Sequence, residues 1–264
     1  MKGPDSLKPI PFWQAFLLFA IPGAIVYLNI YLAVPYLVRA GVPLILCFPP
    51  LLMSPVLLPA SLLLFKREGN QWSWATLRER FRLHPITGTQ WLWVIGTLLV
   101  IQLSDGLFGF IGLDGLARWL AGIPLFKPPP YLPSLIDPRV ELALLPSEFL
   151  GAPLRGNWWI PLWWVGLLLL SNLGEEWMWR GYILPRQELS LGKWAWVANG
   201  LLWNFLLHAV LKWQYLGMLP GMLLTPWLAQ KLKNTWASFL VHFVGNLLIV
   251  VLLVPGIVGA GGSP

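Results

Sequence analysis

The sequence predicts an all-α fold, a bundle of about seven transmembrane helices in a polytopic membrane protein. Only 11% of the 264 residues are charged and 57% are hydrophobic, whereas a soluble globular protein carries about 25% charged residues. The 18 tryptophans fit the same class, because indole rings favour the interfacial zones on both sides of a bilayer. The composition therefore excludes an ordinary soluble domain.

Each predicted span is an apolar segment long enough to cross a bilayer as a helix, which takes about 20 residues. In chain order the segments cover residues 12–37, 42–65, 91–111, a stretch that begins near Trp158, and residues 194–211, 215–232 and 236–254. The second segment contains four prolines between residues 49 and 59, so we expect it to be kinked or broken. The first segment lacks a small-x-small cleavage site, which predicts a retained helix and not a cleaved signal peptide.

Basic residues predict the orientation of the bundle. Five lysines and arginines lie in the loop at 66–90, which the positive-inside rule places in the cytoplasm. The N-terminus and the loops near Arg186 and Lys233 then also lie inside, whereas the proline-rich stretch at 114–155 lies outside. These loops explain the net charge of +7 without a nucleic-acid partner. We expect a multi-pass protein of a prokaryotic cell membrane, surrounded by lipid and with a cytoplasmic N-terminus.

The chain divides into two parts of different character. Residues 1–156 hold the N-terminal helices, the basic cytoplasmic loop and the proline-rich extracytoplasmic loop, whereas residues 157–258 hold polar groups that stand out within apolar spans. An ionisable residue inside a span raises the free energy of insertion by roughly 2.5–3.5 kcal/mol and is a functional-site hypothesis by default. The single Cys47 lies in an apolar run, which leaves no disulfide or cysteine metal site.

Two adjacent acids, Glu175 and Glu176, and then Arg180 follow the apolar run of the fourth span. Residues four apart lie about 40° apart around a helix, so Arg180 can pair with Glu176 in the favourable order, with the acid first. Glu175 points about 100° away from Glu176 and has no cation on its own helix. This geometry predicts a charge-compensated structural pair and a free carboxylate at Glu175. The alternative is that both acids have reached the cytoplasmic headgroup zone.

Two histidines lie in later spans. His208 follows Asn204 by one turn, and we expect Asn204 either to hydrogen-bond the imidazole or to pack helices as an amide. His242 and Asn246 are four residues apart and share a helix face. A lone histidine is more often a packing residue than a catalyst. Polar groups in separate apolar spans, however, need partners, and the nearest available partners are one another.

Carboxylate, imidazole and carboxamide groups together predict a hydrolase with a catalytic cavity in the C-terminal half of the bundle. A carboxylate can take a proton from water, while imidazole and amide groups can donate to an oxyanion. No serine lies in a nucleophile elbow, which favours direct attack by water. We favour no cofactor, and a zinc ion held by Glu175, His208 and His242 is the open alternative. A transporter is a further alternative, which no internal repeat supports.

The segment EEWMWRGYILPRQELSLGKWAW, then His208, and then the segment NTWASFLVHFVGN resemble the CPBP family of intramembrane endopeptidases. This family includes the CAAX prenyl endopeptidases and bacterial proteins linked to bacteriocin processing or self-immunity. Its signature is E-E-x-x-x-R, then F-x-x-x-H, then H-x-x-x-N or H-x-x-x-D, on separate transmembrane helices. The resemblance covers about residues 158–254. One departure is Asn204, four residues before His208, where the family usually has phenylalanine; Phe205 is adjacent.

The resemblance implies an endopeptidase that hydrolyses peptide bonds of membrane-associated substrates, including lipidated ones, at a site open to the cytoplasm. It also implies that Glu175 and His208 activate water, while His242 and Asn246 support the oxyanion.

The same resemblance implies that Glu176 and Arg180 shape the site. Members of the family are described both as metalloproteases and as metal-free glutamate proteases. An asparagine beside His242 suits an oxyanion hole better than a ligand sphere, which favours the metal-free type. A non-proteolytic membrane scaffold or immunity partner is an alternative from another class, which Asn204 leaves open.

Overall fold

Helices make up nearly all of the regular structure in a computed structural model, which describes residues 7–53, 55–110, 113–129, 131–132, 137–140 and 146–259. In chain order the elements are α1 (Phe12–Leu28), a π-helical segment (Asn29–Ala33), α2 (Val34–Arg39), α3 (Leu44–Met53), α4 (Leu57–Arg67), α5 (Trp74–Arg80), α6 (Gly88–Phe110), α7 (Leu113–Gly122), a 3₁₀ turn (Pro124–Phe126), β1 (Glu148–Phe149), β2 (Ala152–Pro153), α8 (Trp159–Glu176), a π-helical segment (Trp177–Ile183), α9 (Leu184–Leu191), a 3₁₀ turn (Gly192–Trp194), α10 (Ala195–Phe205), a 3₁₀ segment (Leu207–Gln214), α11 (Tyr215–Leu232) and α12 (Thr235–Ile257). The predicted all-helical class is confirmed. The exception is the short antiparallel hairpin of β1 and β2.

Several helices are long and apolar enough to cross a bilayer, which makes this a multi-pass membrane protein. Within the described residues there are four of them, Phe12–Arg39, Leu44–Arg67, Gly88–Phe108 and Thr235–Ile257. A fifth candidate is a bent pair, Trp159–Phe205 and Leu207–Leu232, with an angle of 76° between its parts. The four helices correspond to the first, second, third and seventh predicted spans, and the bent pair contains the other three. The count of seven and the orientation stay predictions.

The second span is interrupted where its prolines predict. Helix α3 ends at Met53 and α4 begins at Leu57. Helix α4 packs against α8, and the two backbones approach closely at Gly174, where an added Cβ would lie 2.6 Å from the backbone nitrogen of Leu58. A small residue at this point lets α8 lie flush against α4, as is common between membrane helices. The close approach determines where the end of α8, with its two acids, lies.

The predicted fifth span, at 194–211, is not one continuous α-helix. Helix α10 ends at Phe205, and the 3₁₀ segment that follows contains non-helical backbone angles at His208 (φ −88°, ψ 20°) and Leu211 (φ −110°, ψ 34°). This break meets helix α1, since an added Cβ at Gly23 would lie 2.0 Å from the carbonyl oxygen of Leu206. Apolar periodicity along the sequence does not reveal such a break, because the residues on both sides remain apolar.

The basic loop at 66–90 docks onto the segment that follows α8. Arg80 donates to both carboxylate oxygens of Glu68, at 2.7 and 2.8 Å, and to the carbonyl oxygen of Gly181 at 2.9 Å. Arg82 forms a two-pronged pair with Glu188 at 2.8 and 2.9 Å. The arginines that predict a cytoplasmic loop therefore also tie this loop to the π-helical segment after α8 and to α9.

We expect Gly23→Ala to destabilise the protein, because its new methyl group would overlap the backbone of Leu206. Overpacking of this kind lowers the free energy of unfolding by about 1–3 kcal/mol. The measurement is thermal unfolding in detergent. Gly166→Ala is the matched control, because nothing lies within 4 Å of a Cβ built there. Equal unfolding midpoints for the two variants would show that the contact between α1 and Leu206 does not constrain the bundle.

Candidate functional site

One cavity, of about 440 Å³, brings the predicted polar residues together. Its walls come from α1, α3, α4, α8, α12 and the 3₁₀ segment after α10. All of its polar side chains belong to the C-terminal part of the chain; they are Ser171, Asn172, Glu175, His208, His242 and Asn246. The N-terminal helices contribute only apolar side chains, Val26, Leu52, Met53 and Leu57. The polar groups of the cavity therefore derive from the C-terminal part of the sequence, whereas both parts contribute to its apolar lining.

Glu175 lies in the last turn of α8 and is 8% exposed. One of its carboxylate oxygens accepts the indole N–H of Trp203 at 2.8 Å, and the other lies 3.3 Å from the hydroxyl of Ser171. That hydroxyl also contacts the carbonyl oxygen of Met53. A hydroxyl has one proton, so Ser171 shares it between two acceptors, and Trp203 is the firmer donor. Glu175 therefore accepts hydrogen bonds from neutral donors on two elements, and among the described residues no ion pair forms at its carboxylate.

Glu176 and Arg180 form the predicted ion pair, with 3.4 Å between a guanidinium nitrogen and a carboxylate oxygen. Both side chains are fully buried. The same Glu176 oxygen also lies 3.0 Å from Nδ1 of His242, and the Arg180 guanidinium lies 3.7 Å from the ring centre of Trp203. Glu176 is therefore not isolated from the cavity, since it anchors a histidine that lines it. The sequence indicated that the buried polar groups would be partners of one another, and the structure pairs His242 with Glu176.

His208 owes its position to the break after α10. Its Nδ1 lies 3.2 Å from the carbonyl oxygen of Trp203. A carbonyl oxygen can only accept a hydrogen bond, so Nδ1 carries the proton and Nε2 is the basic nitrogen of the neutral ring. The Trp203 carbonyl lies in the last turn of α10, where main-chain carbonyls lack partners within the helix. The end of the helix thus supplies the acceptor that fixes the tautomer of His208.

Asn246 lies one turn after His242 on α12, on the shared face that the sequence predicts. Its amide nitrogen lies 3.4 Å from the side-chain oxygen of Asn172 on α8. Both asparagines line the cavity. The pair places two carboxamide groups on the same cavity wall as His242.

Asn204 lies outside the cavity lining. It is fully buried, and its amide nitrogen donates to the carbonyl oxygen of Tyr215 at 3.2 Å. It therefore joins α10 to the start of α11, and Trp203 supplies the contact to His208 that we expected of Asn204. The asparagine at this position acts as a helix-packing amide, which was the other expectation.

Three residues of the site were not predicted, namely Ser171, Asn172 and Trp203. Two of them had a usable signal, because Ser171 and Asn172 are polar residues in an apolar run and lie one turn before Glu175 and Glu176. Trp203 had none, since it is one of 18 tryptophans in a chain where that residue marks interfaces. Its role depends on contacts between helices.

The residues suggested for zinc do not form a ligand set. In the part of the chain that the structure describes, no three His, Cys, Asp or Glu side chains are grouped closely enough to hold a metal ion. Both oxygens of Glu175 already face protein donors, and Nδ1 of His242 faces Glu176. The arrangement therefore offers protein groups for acid–base chemistry.

Comparison with known proteins gives a family match for the segment that holds these residues. Residues 157–248, about a third of the chain, match a family described as Type II CAAX prenyl endopeptidase Rce1-like. All six polar side chains of the cavity lie within the matched segment. No curated protein sequence and no solved structure matches the chain. The match confirms the resemblance to the CPBP endopeptidases: the segment that carries the site is similar to the Rce1-like type II CAAX prenyl endopeptidases.

Proposed function

We propose that the protein is an intramembrane endopeptidase that hydrolyses a peptide bond of a membrane-associated substrate by direct attack of water. The observation that carries this proposal is the single cavity in which Glu175, His208, His242 and Asn246 meet from three separate segments. The family match supplies the reaction class. The geometry supports particular roles for the four residues.

Glu175 is the base of the proposed reaction. Each carboxylate oxygen has two lone pairs, so a carboxylate that accepts from Trp203 and Ser171 can still accept a proton from water. The basic Nε2 of His208 accepts the second water hydrogen and so orients the nucleophile. As the water oxygen bonds to the substrate carbonyl carbon, the proton moves to Glu175 and the C=O electron pair moves onto oxygen. A tetrahedral oxyanion results.

His242 and Asn246 stabilise this oxyanion in the proposed mechanism. Glu176 accepts the Nδ1–H of His242, so Nε2 is the atom that can face the substrate. In the proposed mechanism His242 donates to the oxyanion as an imidazolium, in which both ring nitrogens carry protons. The Asn246 amide is the second donor. When the oxyanion collapses, the C=O bond re-forms, the C–N bond breaks, and the amine leaves with the proton that Glu175 had taken.

The substrate is expected to be apolar around the cleaved bond. Among the residues that the structure describes, no lysine or arginine lines the cavity, and Glu175 is the one acid that does. Trp164 and Glu175 both line it, and eleven residues of helix separate them, which corresponds to about 16 Å. An extended peptide spans that distance with about five residues. An apolar segment that leaves the membrane, with or without a lipid, suits this space.

We expect Glu175→Gln to abolish cleavage of a membrane-tethered peptide library while the unfolding midpoint stays near that of the wild type. Glutamine keeps the size of the side chain and removes the base. Glu176→Gln should instead lower the free energy of unfolding by about 3–5 kcal/mol, because it leaves the buried Arg180 cation uncompensated. The two variants are matched controls for each other. Full cleavage by Glu175→Gln would rule out Glu175 as the base. Protection or complex formation that persists in Glu175→Gln without cleavage would favour the scaffold or immunity function.

Asn246→Leu should lower kcat by about 10²–10³-fold and change KM little, because an oxyanion donor acts mainly in the transition state. Leucine preserves the volume of the side chain, so the fold is expected to remain. Initial rates over a range of substrate concentrations provide the measurement. A rise in KM with unchanged kcat would instead assign Asn246 to substrate binding.

We expect cleavage to persist after treatment with a chelator such as EDTA and removal of bound metal, because the proposed steps use only protein groups. Activity and metal content are measured on the same detergent-purified samples. Loss of activity on chelation, with recovery on addition of Zn²⁺, would replace this mechanism with the zinc alternative.

A further inference from the structure

Trp203 contacts four of the five ionisable side chains at the site, namely Glu175, Arg180, His208 and His242. Its indole N–H donates to Glu175 at 2.8 Å, and its ring lies under the Arg180 guanidinium at 3.7 Å. The ring also packs edge-on against His208 and His242, with centroid distances of 5.3 and 4.9 Å. The side chain is only 2% exposed. No other described aromatic ring combines these contacts.

The main chain of Trp203 makes a fifth contact, from its carbonyl oxygen to Nδ1 of His208 at 3.2 Å. One residue therefore reaches both groups that would activate water. Its side chain holds the carboxylate and its backbone holds the imidazole. Because both contacts start from the last turn of α10, the relative position of Glu175 and His208 depends on that turn.

A firm donor to Glu175 matters because the last torsion of a glutamate side chain has no sharp preference. Ser171 shares its proton with Met53, so it restrains the carboxylate weakly. The Trp203 N–H forms a charge-assisted hydrogen bond with one oxygen of the Glu175 carboxylate. This bond holds that oxygen toward the end of α10.

We propose that Trp203 is the positioning residue of the water-activating pair: its indole N–H orients Glu175, and its carbonyl oxygen sets the tautomer of His208. This inference rests on the proposed peptidase function. Trp203 itself does not line the cavity and does not react. It acts by keeping a lone pair of Glu175 and Nε2 of His208 directed at the same water molecule.

The chain provides a matched control in Trp179. Its side chain is also fully buried and stacks on Phe19 with a centroid distance of 4.2 Å. Its indole nitrogen makes no hydrogen bond to any described residue. Replacement of either tryptophan by phenylalanine removes a similar buried volume, but only the change at 203 removes a donor to the catalytic carboxylate.

We expect Trp203→Phe to lower kcat roughly ten- to a hundredfold, with KM unchanged, which corresponds to the loss of one hydrogen bond to a charged group. Trp179→Phe should keep kcat within about threefold of the wild type, even if both variants unfold at lower temperature. Benzothienylalanine at position 203 is the second variant. It has the shape of tryptophan with sulfur in place of N–H, so it should reproduce the loss of kcat without loss of volume.

An infrared measurement of the Glu175 carboxylate tests the same contact without turnover. The difference spectrum between wild type and Glu175→Gln isolates the carboxylate band, and that band should shift in Trp203→Phe and stay in place in Trp179→Phe. Equal kcat values and unshifted bands in both tryptophan variants would overturn the inference. If the wild type cleaves no substrate, the proposed peptidase function fails. The infrared measurement still tests the Trp203 contact in that case, because an unshifted carboxylate band in Trp203→Phe would show that Trp203 does not position Glu175.

Discussion

The compensation of buried charge is the constraint on which this structure depends. Glu176 and Arg180 are fully removed from solvent, and an uncompensated charge in such a place has a large desolvation cost. The ion pair supplies part of the compensation, the Trp203 ring beneath the guanidinium supplies more, and Nδ1 of His242 contacts the same Glu176 oxygen as Arg180. These partners come from three different helices. Helices α8, α10 and α12 must therefore meet at this point for the bundle to be stable.

The break after α10 is the second feature that makes the site possible. A continuous helix would satisfy its carbonyls internally, and the imidazole of His208 would have no main-chain acceptor. Irregular backbone inside a membrane is tolerated where it is buried in protein or lines a cavity, and both conditions hold for Leu207–Gln214. The contact of Gly23 with Leu206 packs α1 against the break. Helix α1, which is far from the polar site residues in sequence, thus supports the placement of His208.

The cavity joins two parts of the chain. The matched family segment at 157–248 provides every polar side chain and also apolar residues such as Trp164, Leu168 and Leu207. The helices before it add only apolar side chains. The acid–base groups therefore come from one stretch of sequence, whereas the apolar lining requires both.

The sequence was enough to predict three features: the membrane class, different surroundings for the two adjacent acids, and the pairing of Glu176 with Arg180. Composition decides the first, and helical periodicity decides the others, because both act over a few residues. Tertiary structure alone decided that His242 pairs with Glu176, that Trp203 holds Glu175 and that Asn204 joins α10 to α11. These contacts link residues on different helices, and their geometry depends on packing angles, glycine contacts and a helix break that apolar sequences do not encode locally.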